Sequence, residues 1–249
     1  MDKSASTICE SQQEIWSGVA NSAWNLNGAM GLLHSMNTLR TTLLLEGLTE
    51  SGIITNKEGT RPLEGVRILD IGCGVGFWSE ALAQLGANVT GVDSVMENIK
   101  AAEAHMAPGM NINYDCTTVE DYLRDHPGAQ FDAVVASEVI EHVENPELFV
   151  SCASKLIKVG GIFFVTTINR TVFSWCVAIL LLEYILGIAE VGTHPYNKLL
   201  TPTEVENWFS RASIEPKYLT GQFYNPITKN WFRISSTQVF WVMYGVKKA

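Results

Sequence analysis

Cysteine and positive charge are both scarce in this 249-residue chain. The five cysteines are odd in number and form no Cys-x-x-Cys pair, so the sequence predicts neither a disulfide framework nor a zinc knuckle, and a reducing compartment fits. Lysine and arginine total 17 against 26 aspartate and glutamate residues, for a formal net charge of −9. Because neutralising phosphates requires a concentrated basic surface, nucleic acid is excluded as the main partner and a small molecule is favoured.

The N-terminal region has no arginine in its first fifteen residues, which are mostly polar. They lack the features of a signal peptide or a mitochondrial presequence, and we expect a frayed end. Residues 16–50 differ, because tryptophan, leucine and methionine recur there at mostly helical intervals. We therefore expect an N-terminal helical extension over residues 1–50, followed by one domain over residues 51–249.

Strand and helix patterns alternate from Val66 onward, which is typical of an α/β fold with a mainly parallel sheet covered on both faces. Ligands of such sheets bind beyond the carboxyl ends of the strands. The residues that follow each strand are therefore the first candidates for a functional site. The predicted strands span residues 66–71, 88–93, 111–115, 131–136, 161–168, 216–222 and 237–246.

The most informative motif follows the first predicted strand, where Asp70 precedes a Gly-x-Gly-x-Gly run. Alternate glycines let the chain turn sharply and bring backbone N–H groups close to a ligand. A dinucleotide fingerprint needs a small residue where this chain has Phe77, and Asp70 would repel a pyrophosphate but attract an ammonium group. Asp93 ends the second strand, 21 residues after Gly72, where it can bind two ribose hydroxyls. The motif predicts S-adenosylmethionine (SAM) as the cofactor and disfavours a dinucleotide oxidoreductase.

A second cluster follows the fourth predicted strand, where Glu138, Glu141 and His142 are spaced i, i+3 and i+4. On a helix these side chains share one face. Two carboxylates and an imidazole at the mouth of a cofactor cleft suit a divalent cation, with the oxygens favouring Mg²⁺ and the imidazole admitting Mn²⁺, Fe²⁺ or Zn²⁺. The alternative is a metal-free site in which these side chains tie loops together.

An apolar insertion over residues 171–200 precedes the last predicted helix. Its central part, Val172–Ile188, is just short of the ~20 residues that span a bilayer, and a single crossing would separate strands of one sheet. We expect a helix that lies in the membrane interface or caps the active site, with Trp175 and Tyr184 at the interface. The alternative is burial in a homodimer interface or against the N-terminal helices.

Seven segments carry motifs that point to one family, and the glycine loop is less specific than the motifs near the C-terminus: Leu32–Arg40, Asp70–Gly76, Glu97–Lys100, Ala136–Val143, Thr166–Arg170, Gly192–His194 and Gly221–Thr228. They resemble the O-methyltransferases of ubiquinone biosynthesis, whose eukaryotic members act in mitochondria. The similarity extends over more than four fifths of the chain. It implies a class I SAM-dependent methyltransferase fold, with a Rossmann-like, mainly parallel sheet of seven strands whose last member is antiparallel.

The resemblance also implies a role for individual residues. Arg40 would pair with the carboxylate of the methionine moiety, and Gly72 would line the sulfonium end. Asp93 would bind the ribose, and Ser137 would complete the cofactor wall. The full expected cofactor set is Arg40, Asp70, Gly72, Gly74, Asp93 and Ser137, and the family's metal positions correspond to Glu138, Glu141 and His142.

Two residues depart from the pattern of the family. Val75 stands where a glycine is usual in the loop. Val191 stands where many relatives have a lysine before Gly-Thr-His. The second departure puts in doubt a basic contact to substrate or to a lipid headgroup.

The activity implied by the resemblance is O-methylation of polyprenylated catechol or hydroxybenzoate-type intermediates in ubiquinone biosynthesis. A divalent metal such as Mg²⁺ would activate the catechol oxygen, and without metal His142 or His194 would act as the base. Peripheral attachment to the matrix side of the mitochondrial inner membrane and contacts with other proteins of the pathway are also implied. Two alternatives stay open: a soluble small-molecule O-methyltransferase without metal or membrane docking, and a non-catalytic subunit of a biosynthetic complex.

Overall fold

The computed structural model describes residues 7, 23–24, 31–55, 59–176 and 195–249. Two helices precede the sheet, α1 (Gly31–Ser35) and α2 (Asn37–Glu50), which confirms the helical prediction for the second half of residues 16–50. Leucines at helical spacing give α2 an apolar stripe, and Leu43, Leu44 and Leu48 bury it against the sheet. The boundary placed at residue 50 stays a prediction.

Strands and helices alternate through most of the remaining chain, as the sequence pattern predicts. The first half contains β1 (Arg67–Ile71), α3 (Phe77–Gln84), β2 (Asn88–Asp93), α4 (Met96–His105), β3 (Ile112–Cys116), α5 (Val119–Asp125) and β4 (Phe131–Ser137). The second half contains a 3-10 turn (Ile140–His142), α6 (Pro146–Lys155), β5 (Ile157–Ile168), α7 (Val172–Ser174), a second 3-10 turn (Tyr196–Lys198), α8 (Pro202–Arg211), β6 (Ile214–Asn225), β7 (Asn230–Ile234) and β8 (Phe240–Lys247).

The described strands form one sheet in the order β3-β2-β1-β4-β5-β8-β6-β7. Strands β1 to β5 are parallel, and β8 lies antiparallel between β5 and β6. All seven predicted strands are present, but the predicted number is wrong because the sheet has eight. The additional strand is β7, which pairs with β6 because β6 continues to Asn225 and a turn with Lys229 at φ 54° reverses the chain.

Both faces of the sheet are covered. In β4, Val134 and Ala136 pack with helices α5, α6 and α8, whereas Ala133 and Val135 pack with α2 and α3. A continuous apolar run is what a strand buried on both faces requires. Side chains alternate along each strand, so Asp70, Ser137 and Thr166 at the carboxyl ends of β1, β4 and β5 lie on the face toward α2. The sheet thus brings polar groups to one edge.

The apolar insertion is described only at its start. Helix α7 begins after Thr171, whose hydroxyl accepts the Ser174 N–H at 2.9 Å. Val172, Phe173 and Trp175 are 75%, 58% and 43% exposed. The rest of the predicted apolar helix, with Tyr184, lies outside the described residues. Among the helices of the described ranges, none combines the length and the apolar character needed to span a membrane.

Candidate active site

A cleft opens beyond the carboxyl ends of β1, β2 and β4. The rule for open α/β sheets places a ligand there. All six predicted cofactor residues line this cleft, together with two of the three predicted metal ligands. These residues are Arg40, Asp70, Gly72, Gly74, Asp93, Ser137, Glu138 and His142.

The glycine loop between β1 and α3 is tied to β2 by its backbone. The N–H groups of Gly72 and Cys73 donate to the Val92 carbonyl at 2.7 and 3.0 Å. Gly72 has a φ of +67°, in the left-handed region that favours glycine. A Cβ atom at this position would lie 2.4 Å from the Val139 Cγ2 atom. Both the conformation and the neighbouring side chain therefore require a glycine.

Asp93 fixes the loop from the end of β2. Its Oδ2 accepts the Gly74 N–H at 2.9 Å, and its Oδ1 accepts the Val95 N–H at 2.8 Å and the Asn98 amide at 3.2 Å. Burial raises the pKa of Asp93, and these three hydrogen bonds lower it in part. The carboxylate is held rigidly in the cleft wall, at the place expected for a ribose contact.

Asp70 is a buried acid on the floor of the same cleft. Its Oδ2 accepts a hydrogen bond from the Ser79 hydroxyl at 2.6 Å. Burial raises the pKa of Asp70 to about 6, although the Ser79 hydrogen bond and the charge of Arg40 oppose the rise. The carboxyl is mostly ionised at neutral pH, where it can hold a ligand ammonium group.

Arg40 reaches the cleft from α2 and is only 6% exposed. Its Nε donates to Asn37 Oδ1 at 3.0 Å, its Nη1 donates to the Ser137 hydroxyl at 2.7 Å, and its guanidinium carbon lies 4.5 Å from the Trp78 ring centre. Burial lowers the pKa of Arg40 to about 10, and the charge of Asp70 opposes this shift. The guanidinium stays charged at neutral pH and can pair with a carboxylate.

The predicted metal ligands do not share one helix face, so that expectation is wrong. Glu138 has a φ of 57°, and only Ile140–His142 forms a short 3-10 turn. The left-handed residue reverses the chain directly after β4, so Glu138 and His142 line the cleft whereas Glu141 is 2% exposed. A continuous helix cannot begin at Glu138 with this backbone conformation.

Across the described ranges, no group of three His, Cys, Asp or Glu side chains is arranged to hold a metal ion. The assignment of Glu138, Glu141 and His142 as ligands stays a prediction. Both Glu141 oxygens are buried, beside the Thr167 hydroxyl. Burial, and then the charge of Glu138, raise the pKa of Glu141 well above its usual range. His194, the other predicted base, lies outside the described residues.

Comparison with known proteins assigns the chain to a family. The model of a methyltransferase domain family matches residues 38–215. The mitochondrial ubiquinone biosynthesis O-methyltransferase of Rattus norvegicus is 36% identical over 97% of this chain and 70% of its own length. The ubiquinone biosynthesis O-methyltransferase of Brucella anthropi is 37% identical over 98% of this chain and 97% of its own length. The chain belongs to the ubiquinone biosynthesis O-methyltransferase family. The prediction of a SAM-dependent O-methyltransferase is confirmed.

The fold of this family member is also found in a solved structure. The crystal structure of magnesium protoporphyrin IX methyltransferase from Synechocystis PCC 6803 with bound SAM has a TM-score of 0.61 and 14% sequence identity. The match covers 97% of this chain and 99% of that chain. At this identity the likeness concerns the fold alone, and the predicted class I methyltransferase fold is confirmed.

Thr7 and Ala23 from the N-terminal region also line the methyltransferase cleft, and sequence reasoning did not single out either residue. Thr7 is 5% exposed, and its N–H and hydroxyl donate to the Glu120 carboxylate at 2.6 and 2.8 Å. The expectation of a frayed end is wrong at this residue. Trp24 donates its indole N–H to the Val75 carbonyl at 3.1 Å and stacks on His105. A lone threonine carries no pattern by which sequence reasoning could have found the first contact.

Proposed function

We propose that this protein transfers the methyl group of SAM to a phenolic oxygen of a polyprenylated catechol intermediate of ubiquinone biosynthesis. The observation that carries the proposal is the arrangement of one cleft, with Arg40, Asp70 and Asp93 in its wall and Glu138 and His142 beside them. The names of the relatives supply the class of acceptor. The ring would enter beside Glu138.

The charges in the cleft supply a binding mode for the cofactor. The Arg40 guanidinium would pair with the methionine carboxylate, and the Asp70 carboxylate would hold the ammonium group. Asp93 would accept the ribose hydroxyls, while the glycine loop brings the backbone close to the ligand. These contacts orient the sulfonium methyl toward the acceptor end of the cleft, where in-line transfer requires the attacking oxygen.

The two carboxylates and the imidazole at the acceptor end are donor types that a divalent cation takes. The buried Glu141 carboxyl is close enough to Glu138 for the second charge to raise its pKa. Either a proton or a cation compensates two neighbouring carboxylates. Glu138, Glu141 and His142 would hold the cation, most simply Mg²⁺. A bound cation supplies the Lewis acidity that lowers the pKa of a catechol hydroxyl.

We expect methyl transfer from labelled SAM to a short-tailed polyprenyl catechol to require a divalent cation. A chelator should abolish transfer, and Mg²⁺ should restore it. Glu141→Gln should lower cation-supported turnover by at least about tenfold, which is the usual effect of changing a side chain that supports a metal site. The variant should remain folded, because glutamine has nearly the same size and shape as glutamate. No transfer by the wild type under any metal would contradict the proposed acceptor, and transfer that resists the chelator would contradict only the metal.

We also propose that the protein docks peripherally on the matrix face of the mitochondrial inner membrane and contacts other proteins of the pathway. The exposed apolar side chains Val172, Phe173 and Trp175 at the start of the insertion support the docking. Aromatic and aliphatic side chains of this kind favour the boundary between headgroups and acyl chains. A polyprenyl tail would remain in the bilayer while the ring enters the cleft.

A flotation experiment with anionic liposomes tests the docking. The double substitution Phe173→Glu and Trp175→Glu should reduce the floated fraction several-fold, because both charged side chains would have to enter the interface. Val159→Glu is the matched control, since Val159 is 67% exposed and lies at the opposite end of β5. Unchanged flotation of the double variant, or equal loss in the control, would contradict docking through this segment.

A further inference from the structure

A chain of three hydrogen bonds joins Arg40 to Glu138. The Arg40 Nη1 group donates to the Ser137 hydroxyl at 2.7 Å. The Ser137 and Thr166 hydroxyl oxygens lie 2.7 Å apart, and the Thr166 hydroxyl donates to Glu138 Oε1 at 2.7 Å. Because Thr166 has one hydroxyl proton and gives it to Glu138, Ser137 must donate to Thr166. The direction of every bond in the chain is therefore determined.

Thr166 holds Glu138 at two points. Besides the bond between the side chains, the Glu138 N–H donates to the Thr166 carbonyl at 3.0 Å. Glu138 has the left-handed φ of 57°, a conformation that a non-glycine residue keeps only where its surroundings fix it. Thr166 is fully buried, so water does not compete for these bonds. The carboxylate of Glu138 is thus oriented from β5.

We propose that Thr166 is a positioning residue that orients the Glu138 carboxylate for the acceptor and links it through Ser137 to the Arg40 end of the cofactor cleft. The inference rests on the proposed role of Glu138 at the acceptor end. Removing the Thr166 hydroxyl deprives Glu138 of a charge-assisted donor and leaves the half-buried Ser137 hydroxyl without its acceptor. The backbone bond remains, so the carboxylate loses its orientation while the fold is kept.

Thr166→Val removes the hydroxyl with little change in volume, and Thr166→Ser retains it. Thr220→Val is the control, because Thr220 is a buried threonine on β6 whose hydroxyl donates to the Ile234 carbonyl at 3.0 Å, and it is not among the residues that line the cleft. Methyl transfer gives kcat and KM for both substrates. Isothermal titration gives the affinity for S-adenosylhomocysteine (SAH), and denaturation gives stability.

We expect Thr166→Val to lower kcat/KM for the catechol about tenfold, the effect of one lost bond to a charged group, while SAH affinity stays within about threefold. Thr166→Ser should recover most of the loss, and Thr220→Val should show wild-type catechol kinetics. Wild-type catechol kinetics in Thr166→Val would overturn the proposal. Equal losses in Thr166→Val and Thr220→Val would also overturn it, because they would indicate the general effect of removing a buried threonine hydroxyl.

Measurement of SAH affinity tests the link between Thr166 and Glu138 independently of the proposed acceptor. A wild type that methylates no catechol would defeat the acceptor assignment, but the link between Thr166 and Glu138 can still be measured. Glu138→Ala should lower SAH affinity by about the same factor as Thr166→Val, within about threefold, and the double variant should lose no more affinity than either single variant. Additive effects of the two substitutions on SAH binding would overturn the link.

Discussion

Gly72→Ala should nearly abolish cofactor binding. The added Cβ would lie 2.4 Å from Val139 Cγ2 and 2.8 Å from Val139 Cγ1. Valine is stiff about χ1, so its methyl groups cannot easily turn away. A left-handed residue with a side chain costs about 1–2 kcal/mol, and overpacking adds about 1–3 kcal/mol. The loop must shift away from the cofactor, and we expect SAH affinity to fall by at least about 100-fold, which corresponds to about 2.7 kcal/mol.

Two variants distinguish the steric clash with Val139 from the energetic cost of a side chain at a left-handed backbone position. Gly74→Ala has the same left-handed requirement, with φ +55°, but its added Cβ would have no described atom within 4 Å. We expect this variant to lose much less affinity than Gly72→Ala. Combining Gly72→Ala with Val139→Ala removes the two clashing methyl groups and should recover part of the binding. An equal loss at both glycines, measured by titration with SAH, would show that Val139 does not matter.

The affinity for SAM should fall below about pH 6 because Asp70 becomes protonated. Burial raises the pKa of Asp70 to about 6 in the free protein, and the ligand ammonium favours the ionised form. Protons and ligand therefore compete, and the affinity should fall by about tenfold per pH unit below pH 6 until the pKa of the complex is reached. Above pH 6 the acid is ionised and this dependence disappears.

Substitutions at Asp70 and Ser79 check that assignment. Asp70→Asn should lower SAM affinity at pH 7.5 by about 100-fold, as expected when a buried charge contact is lost, and should flatten the pH profile. Ser79→Ala removes the hydroxyl that donates to Asp70 at 2.6 Å, a bond that lowers the pKa. Its binding midpoint should move to higher pH. A pH profile that persists in Asp70→Asn would assign the titration to another group.

Local sequence patterns were sufficient to predict the elements that form the candidate cofactor cleft. The strand that ends at Asp70, the alternate glycines and the acid at Asp93 are read from neighbouring residues, and the cleft contains all of them. Asp93 also stabilises the loop through the Gly74 N–H, which follows from the same motif. The strand, the glycine turn and the acid can be predicted because they depend on short-range backbone geometry and on burial. Both produce recognisable patterns of residue types along the sequence.

The acceptor end was predicted less well. The spacing of Glu138, Glu141 and His142 suggested a helix face, but a positive φ at Glu138 separates them. That conformation is stabilised by bonds to Thr166, which is 28 residues away along the chain. Helical spacing in a sequence predicts a helix only where contacts with distant residues do not impose another backbone conformation.

The sequence by itself determined the α/β class, the cofactor loop and the family of this protein. Only the tertiary structure placed Arg40 against Ser137, 97 residues later, and Thr7 against Glu120, 113 residues later. The tertiary structure also revealed the additional strand, β7, because this strand depends more on pairing with β6 than on the residue pattern of its own segment. The reason is physical: contacts between distant segments form when the whole chain packs, and a single local pattern does not encode them.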